Sequence, residues 1–141
     1  DLFNIKHIMK QINDFFHNEF IIQGCSFITL YNKEVSNSSF HMDVTSHYDS
    51  EESTHTLTMI FPLYIENDMG GLEYKENQDI KIYKYCPKKA LIWDACKFEH
   101  RTQPYTLKEN KKRVLVSLNL SSEEEWARKT VINSLRYQGN L

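Results

Sequence analysis

Apolar residues in the N-terminal segment LFNIKHIMKQINDFF recur three or four positions apart. This spacing places side chains along one face of an α-helix. We therefore expect an amphipathic helix that lies on a flat apolar surface. The apolar stripe of this helix consists of Ile5, Ile8, Met9, Ile12, Phe15 and Phe16.

The pattern changes from Cys25 onward to short runs rich in β-branched and aromatic residues, separated by polar or glycine-containing turns. A second helix is predicted in SSEEEWARKTVINSL, with Ser122 as its N-cap and acidic residues in its first turn. Successive strands without intervening helices favour an antiparallel sandwich or barrel flanked by the two helices. The predicted strands lie near residues 25–31, 39–44, 56–65, 72–75, 79–85, 90–94 and 113–120.

The last predicted strand, RVLVSLNL, has two unlike faces. Val114, Val116, Leu118 and Leu120 share an apolar face, whereas Arg113, Leu115, Ser117 and Asn119 share the other. Arg113 would then point into a partly polar interior, where an unpaired charge is costly. The nearby sequence offers no evident acidic partner, so an anionic ligand could fill that role.

Composition indicates an ordinary globular domain. With 141 residues, of which 40% are hydrophobic and 26% charged, we expect one domain over residues 1–141. The net charge of −2 does not favour nucleic acid or an anionic membrane, and no apolar run reaches the length of about 18 residues that a membrane span needs. The chain opens within a helical pattern and without an initiator Met, as a piece of a longer protein would.

Three scattered cysteines, Cys25, Cys86 and Cys96, lack any Cys-x-x-Cys spacing. An odd number without metal or redox spacing favours a reducing compartment, such as the cytoplasm.

The motif His-x-Asp occurs twice, as His41-Met42-Asp43 and as His47-Tyr48-Asp49, and His100 follows far along the chain. Two histidines and one carboxylate that leave the other metal positions open form the facial triad of non-haem Fe(II) oxygenases. A His-x-Asp pair with a distal His on a neighbouring strand is how a β-barrel can supply such a triad.

Four segments occur in an order that resembles the 2-oxoglutarate and Fe(II)-dependent dioxygenase superfamily, within it the prolyl and lysyl hydroxylase-like branch. They are His-x-Asp, LTMIFPLYIENDMGGLEY, CPKKALIWDACKFEHRTQP and KKRVLVSLNL, and the resemblance covers roughly residues 25–120. It implies a mainly β fold, the double-stranded β-helix or cupin-like jelly-roll, with flanking N- and C-terminal helices.

The resemblance also implies a site and a reaction. Fe(II) would be held by His41, Asp43 and His100, and the cosubstrate 2-oxoglutarate by Arg113, Ser117 and Tyr31. A guanidinium suits the far carboxylate of 2-oxoglutarate because its planar fork allows two-point contact. The enzyme would hydroxylate a peptidyl prolyl or lysyl residue or a small molecule, with O2 consumed and succinate and CO2 released. Ascorbate is a further candidate cofactor.

The choice between the two His-x-Asp pairs stays open at this stage, with the first favoured. Tyr31 precedes His41 by 41 − 31 = 10 positions, which is the family distance, whereas Asp49 leaves the more compact loop before LTMIFPL. The segment SSFHMDV alternates apolar and polar residues as a half-buried strand does, while TSHYDSEESTH is polar nearly throughout. We expect residues 47–49 to belong to a lid over the substrate.

His100 and Arg113 are separated by 113 − 100 = 13 positions, more than the family usually shows. We therefore expect an insertion in a hairpin at YTLKENKK, with Lys112 as the alternative to Arg113. Two other functions compete with the oxygenase. One is a cupin-like binding module without redox catalysis, and the other is a nucleic-acid dioxygenase, which the near-neutral charge makes less favoured.

Overall fold

The computed structural model describes residues 5–36, 38–45, 53–66 and 68–139. It confirms a mainly β fold with one helix near each end of the chain. The elements in chain order are α1 (Ile5–Phe16), β1 (Phe20–Val35), β2 (Thr56–Ile65), β3 (Leu72–Glu76), β4 (Asp79–Tyr83), β5 (Leu91–Asp94), β6 (His100–Thr102), β7 (Tyr105–Ser122) and α2 (Glu125–Tyr137).

The strands form two antiparallel sheets. The larger sheet has the order β1-β7-β2-β5, and the smaller has the order β4-β3-β6. Strand β7 lies between β1 and β2; it pairs with β1 over most of its length and with β2 from Arg113 to Ser121. Its two unlike faces therefore decide what lies on each side of the larger sheet.

The apolar face of β7 packs under α1. Val116, Leu118 and Leu120 form a buried cluster with Ile12 of α1 and with neighbouring apolar residues of β1 and β2. The predicted stripe of α1 packs there with one exception. Phe15 is 76% exposed, so its assignment to the buried face is wrong.

One predicted strand and one predicted helix cap are also wrong. Residues 39–44 do not form a strand; only His41 pairs, in a single bridge with His100. Ser122 does not cap α2, because it continues the β7 ladder opposite Phe20 and is buried. The residue that precedes α2 is Glu124, whose side chain makes no capping hydrogen bond.

The segment YTLKENKK, where a hairpin with an insertion was predicted, is part of strand β7. Between Asn32 and Glu34 of β1, the partner position on β7 jumps from Lys111 to Thr106. Two steps on β1 thus face five steps on β7, which is the geometry of a large bulge rather than of a hairpin loop. Neither helix within the described part of the chain has the length and apolar character needed to cross a membrane.

Leu120→Ala should destabilise the protein strongly, because Leu120 is completely buried between the larger sheet and α1. We expect a loss of about 2–5 kcal/mol in the free energy of unfolding, measured by chemical denaturation. The matched control is Leu63→Ala on β2, where the side chain is 52% exposed and the loss should stay near 0.5 kcal/mol. Equal losses in the two variants would contradict this packing.

Candidate functional site

A short segment with little regular structure is attached to β6 by paired backbone hydrogen bonds. The His41 N–H donates to the His100 carbonyl at 2.9 Å, and the His100 N–H donates to the His41 carbonyl at 3.0 Å. Farther along, the Val44 N–H donates to the Ala95 carbonyl at 3.1 Å. These bonds carry the sequence-distant His41 and His100 to the same place.

Three side chains meet here with one ligand atom each. His41, Asp43 and His100 place these atoms within 4.8 Å of one another. Asp43 Oδ1 lies 3.5 Å from His100 Nε2 and 4.0 Å from His41 Nε2. Both distances are too long for good hydrogen bonds but suit atoms around one metal ion, since typical metal–ligand bonds are about 2.0–2.2 Å.

Backbone carbonyls fix the proton position in both imidazoles. His41 Nδ1 lies 3.1 Å from the Ser39 carbonyl, and His100 Nδ1 lies 3.0 Å from the Phe98 carbonyl. A carbonyl oxygen can only accept, so each Nδ1 carries the proton and each Nε2 offers a lone pair. Burial lowers the pKa of His100 from its ordinary value, and the charge of Asp43 opposes this shift only in part. The lowered pKa favours the neutral imidazole that a metal requires.

Asp43 has its second carboxylate oxygen engaged elsewhere. Asp43 Oδ2 accepts a hydrogen bond of 3.0 Å from Trp93 Nε1, so Oδ1 is the oxygen that faces the two histidines. Without a cation, two imidazole lone pairs and a carboxylate oxygen would point at one another. The donor set therefore fits a divalent metal with nitrogen and oxygen ligands.

The three side chains open into a cavity of about 480 Å³, lined by residues of both sheets. The inward face of β7 supplies Arg113, Leu115, Ser117 and Asn119 to its wall, as the alternation in RVLVSLNL predicts. Polar and apolar side chains complete the lining, among them Ser26, Thr58, Ile60, Leu72, Tyr85, Trp93 and Thr102.

Arg113 is a buried cation in this cavity. It is only 1% exposed, its Nη1 donates to the Gly70 carbonyl, and its Nε has no hydrogen-bond partner. The Tyr85 ring lies 4.8 Å from its guanidinium carbon. Among residues 5–36, 38–45, 53–66 and 68–139, no carboxylate pairs with Arg113. Burial lowers its pKa from the ordinary value, but an arginine stays charged in proteins, so the cavity has a cation in need of an anion.

Sequence reasoning missed two residues of this site, Tyr85 and Trp93. Burial raises the pKa of Tyr85 to about 12, so its phenol stays protonated beside Arg113. Tyr85 lies just beyond β4 in a run of alternating lysines and tyrosines, where no spacing marks it out. Trp93 lies in β5 and is buried, and the signal that could have found it is that a buried indole N–H usually has a hydrogen-bond partner.

Two predicted residues face away from the cavity. Tyr31 is 61% exposed and pairs with Lys112, on the opposite face of the sheet from Arg113 and Ser117. Tyr31 is therefore not brought to the cavity. Lys112 is also exposed, and its backbone N–H donates to the Glu66 carboxylate, so Arg113 is the cation that faces inward. The alternative pair His47 and Asp49 lies outside the described residues.

No protein-family model matches the sequence, and no curated protein matches it significantly. Several solved structures are similar to it in three dimensions, including the following two. An oxidoreductase of the 2OG-Fe(II) oxygenase family from Burkholderia pseudomallei matches with a TM-score of 0.61 at 14% identity. A prolyl-4-hydroxylase from Pseudomonas putida matches with a TM-score of 0.51 at 11% identity.

Each match covers 85% of this chain but only 53% and 63%, respectively, of the other protein. The chain thus spans less than two thirds of either relative. The matches confirm the fold that the motifs predicted. The chain has the double-stranded β-helix fold of the 2-oxoglutarate and Fe(II)-dependent oxygenases.

Proposed function

We propose that this protein is a 2-oxoglutarate- and Fe(II)-dependent dioxygenase that hydroxylates a C–H bond of its substrate. The observation that supports this most strongly is the joint presence of two features in one cavity. One is the convergent His41, Asp43 and His100, and the other is the unpaired cation of Arg113. A metal with an anionic cosubstrate needs both features, whereas a cupin-like metal module has no use for the buried cation.

Fe(II) fits the three side chains. Neutral imidazole nitrogens and a carboxylate oxygen suit Fe(II), and three protein ligands leave positions for a cosubstrate and O2. The two Nδ1–H···O=C bonds hold the rings with Nε2 toward the ion. The three free cysteines predict a reducing compartment, which suits a ferrous centre. Ascorbate has no support from the site or from the similar structures.

The cosubstrate 2-oxoglutarate has two carboxylates, and Arg113 would bind the one that lies away from the metal. The guanidinium offers unused N–H donors, including Nε, and a low-polarity setting strengthens the ion pair. Ser117 lines the same cavity on the same strand face and would donate its hydroxyl to that carboxylate. The protonated Tyr85 would take the place that Tyr31 cannot fill.

Bound Fe(II) would supply the redox chemistry, in which substrate, O2 and 2-oxoglutarate give hydroxylated substrate, succinate and CO2. The chain would position the participants. Arg113 fixes one end of 2-oxoglutarate so that its keto acid end reaches the metal. Trp93, Leu115 and Ile60 form the apolar part of the wall and exclude water from the reacting atoms.

The substrate would enter beside His41. This side chain is 55% exposed, whereas that of His100 is 7% exposed, so a bound metal would be reached from solvent on the His41 side. We infer a peptidyl prolyl or lysyl residue, or a small molecule, as the group that is hydroxylated. The similar prolyl-4-hydroxylase agrees with the first class. We assign the activity to a single domain over residues 1–141.

Anaerobic titration of the Fe(II)-loaded protein with 2-oxoglutarate tests the function directly. A chelate of the keto acid with Fe(II) gives a weak charge-transfer band in the visible spectrum, and we expect this band to appear and saturate. His100→Ala should abolish it, because it removes the buried ligand. Absence of the band in the wild-type protein would rule out the proposed activity.

Separate substitutions of His41 and His47 decide which pair holds the metal. We expect His41→Ala to lose Fe(II) affinity and substrate-independent succinate formation, since it removes one of three ligands. His47→Ala is the matched control and should keep both, because the sequence assigns His47 to the substrate side rather than to the ligand set. The reverse result would transfer the role to His47 and Asp49.

Arg113→Met should weaken 2-oxoglutarate binding on the order of 100-fold or more, because it removes the cationic partner of a buried carboxylate. The free energy of unfolding should stay unchanged or rise, since Met fills similar volume without a buried unpaired charge. Isothermal titration and chemical denaturation measure the two quantities. Lys112→Met, on the outward face of the same strand, should alter neither. A 2-oxoglutarate affinity that survives Arg113→Met would refute the assigned role.

A further inference from the structure

The backbone of Asp43 is held on the side of α2. Its carbonyl accepts hydrogen bonds from Ser134 Oγ at 2.6 Å and from Gln138 Nε2 at 3.1 Å. The next residue, Val44, is buried against Ala95 and against apolar residues of α2. The main chain at position 43 therefore has little freedom, and the conformational freedom left to Asp43 is the rotation of its carboxylate group.

Trp93 removes that rotational freedom. Its Nε1–H donates to Oδ2 at 3.0 Å, and the Trp93 side chain is itself fixed in the core at 6% exposure. A hydrogen bond to a charged carboxylate is among the stronger ones in proteins. Because the donor holds Oδ2, the carboxylate can offer only Oδ1 to the two imidazoles.

The same indole also confines the second ligand. The Trp93 ring packs edge-on against His100, with centroids 5.0 Å apart at 61°. On another side, Phe98 stacks on His100 at 5.6 Å and contacts Trp93 at 5.3 Å. Together with the Nδ1–H bond to the Phe98 carbonyl, these contacts leave one orientation for His100 Nε2.

We propose that Trp93 is the positioning residue of the metal centre, whose N–H holds Asp43 as a single-oxygen ligand while its ring orients His100. This inference rests on the proposed function, since it concerns the same three side chains. Its consequence is that one coordination position stays vacant for the cosubstrate. If Oδ2 were free, it could bind the ion as well and occupy that position.

Co(II) alone, which tolerates air better than Fe(II), is the probe for this inference. We expect Trp93→Phe to weaken Co(II) binding about 10- to 100-fold, the effect usual for partners that orient metal ligands. The visible Co(II) spectrum should change as well, because Asp43 can then bind through two oxygens. A role in packing alone would not alter the spectrum of the bound ion.

Because Trp93→Phe also changes packing, a second variant isolates the N–H. Replacement of Trp93 by 3-benzothienylalanine keeps the ring shape and substitutes sulfur for the N–H. It should show the same spectral change and most of the loss of affinity. Trp126→Phe is the matched control, because Trp126 lies on α2 against His55 and should leave Co(II) binding unchanged.

The outcomes separate the inference from the function that it extends. If the wild-type protein binds Co(II) and the benzothienyl variant matches it in affinity and spectrum, the role of Trp93 is refuted while the proposed metal centre stands. If the wild-type protein binds no Co(II), both are refuted. Thermal denaturation of the metal-free variants verifies that each is folded.

Discussion

The buried charge of Arg113 is the constraint on which the site depends. An arginine that is 1% exposed, with one carbonyl partner and an unsatisfied Nε, costs free energy that an apolar residue of similar size would not. Within the described part of the chain, no carboxylate pairs with it to offset this cost. The Tyr85 ring contributes a cation–π contact, which offsets only part of the cost. A bound anion would offset the remaining free-energy cost of the buried charge, which is why we interpret the cavity as a site for a dicarboxylate.

Strand β7 links this charge to the stability of the fold. Its outward residues Val116, Leu118 and Leu120 pack in the core beneath α1, and its inward residues line the cavity. Because side chains alternate along a strand, a slip by one residue would turn Arg113 out of the cavity and turn an outward neighbour into it. Pairing with β1 on one side and β2 on the other resists such a slip. The same strand register therefore stabilises the protein and points the Arg113 guanidinium into the cavity.

Local pattern predicted most of this architecture, and tertiary contacts account for what it missed. Alternation in RVLVSLNL correctly separated the inward Arg113 from the outward Val114, because period-two alternation is a property of the strand alone. The role of Tyr31 rested on a distance along the chain, and such a distance carries no information about which face a side chain takes. Trp93 reaches the cavity through the pairing of β5 with β2, and Tyr85 through its contact with Arg113; both are contacts between segments far apart in sequence, which no local pattern encodes. Residues 39–44 alternate like a strand but find a single bridging partner, His100.

The two histidines differ in a way that bears on how the site would work. His100 lies in a buried aromatic cluster and has one available orientation, whereas His41 projects from a short segment and is largely exposed. Buried, well-packed ligands on one side would fix the position of the ion, so the more exposed ligand on the other side would cost little precision. The exposed side is also where a substrate can approach without displacing packed residues. In the function that we propose, the asymmetry would put the reacting C–H bond beside His41 and the cosubstrate deeper, toward Arg113, so that 2-oxoglutarate would stay in place while substrates exchange.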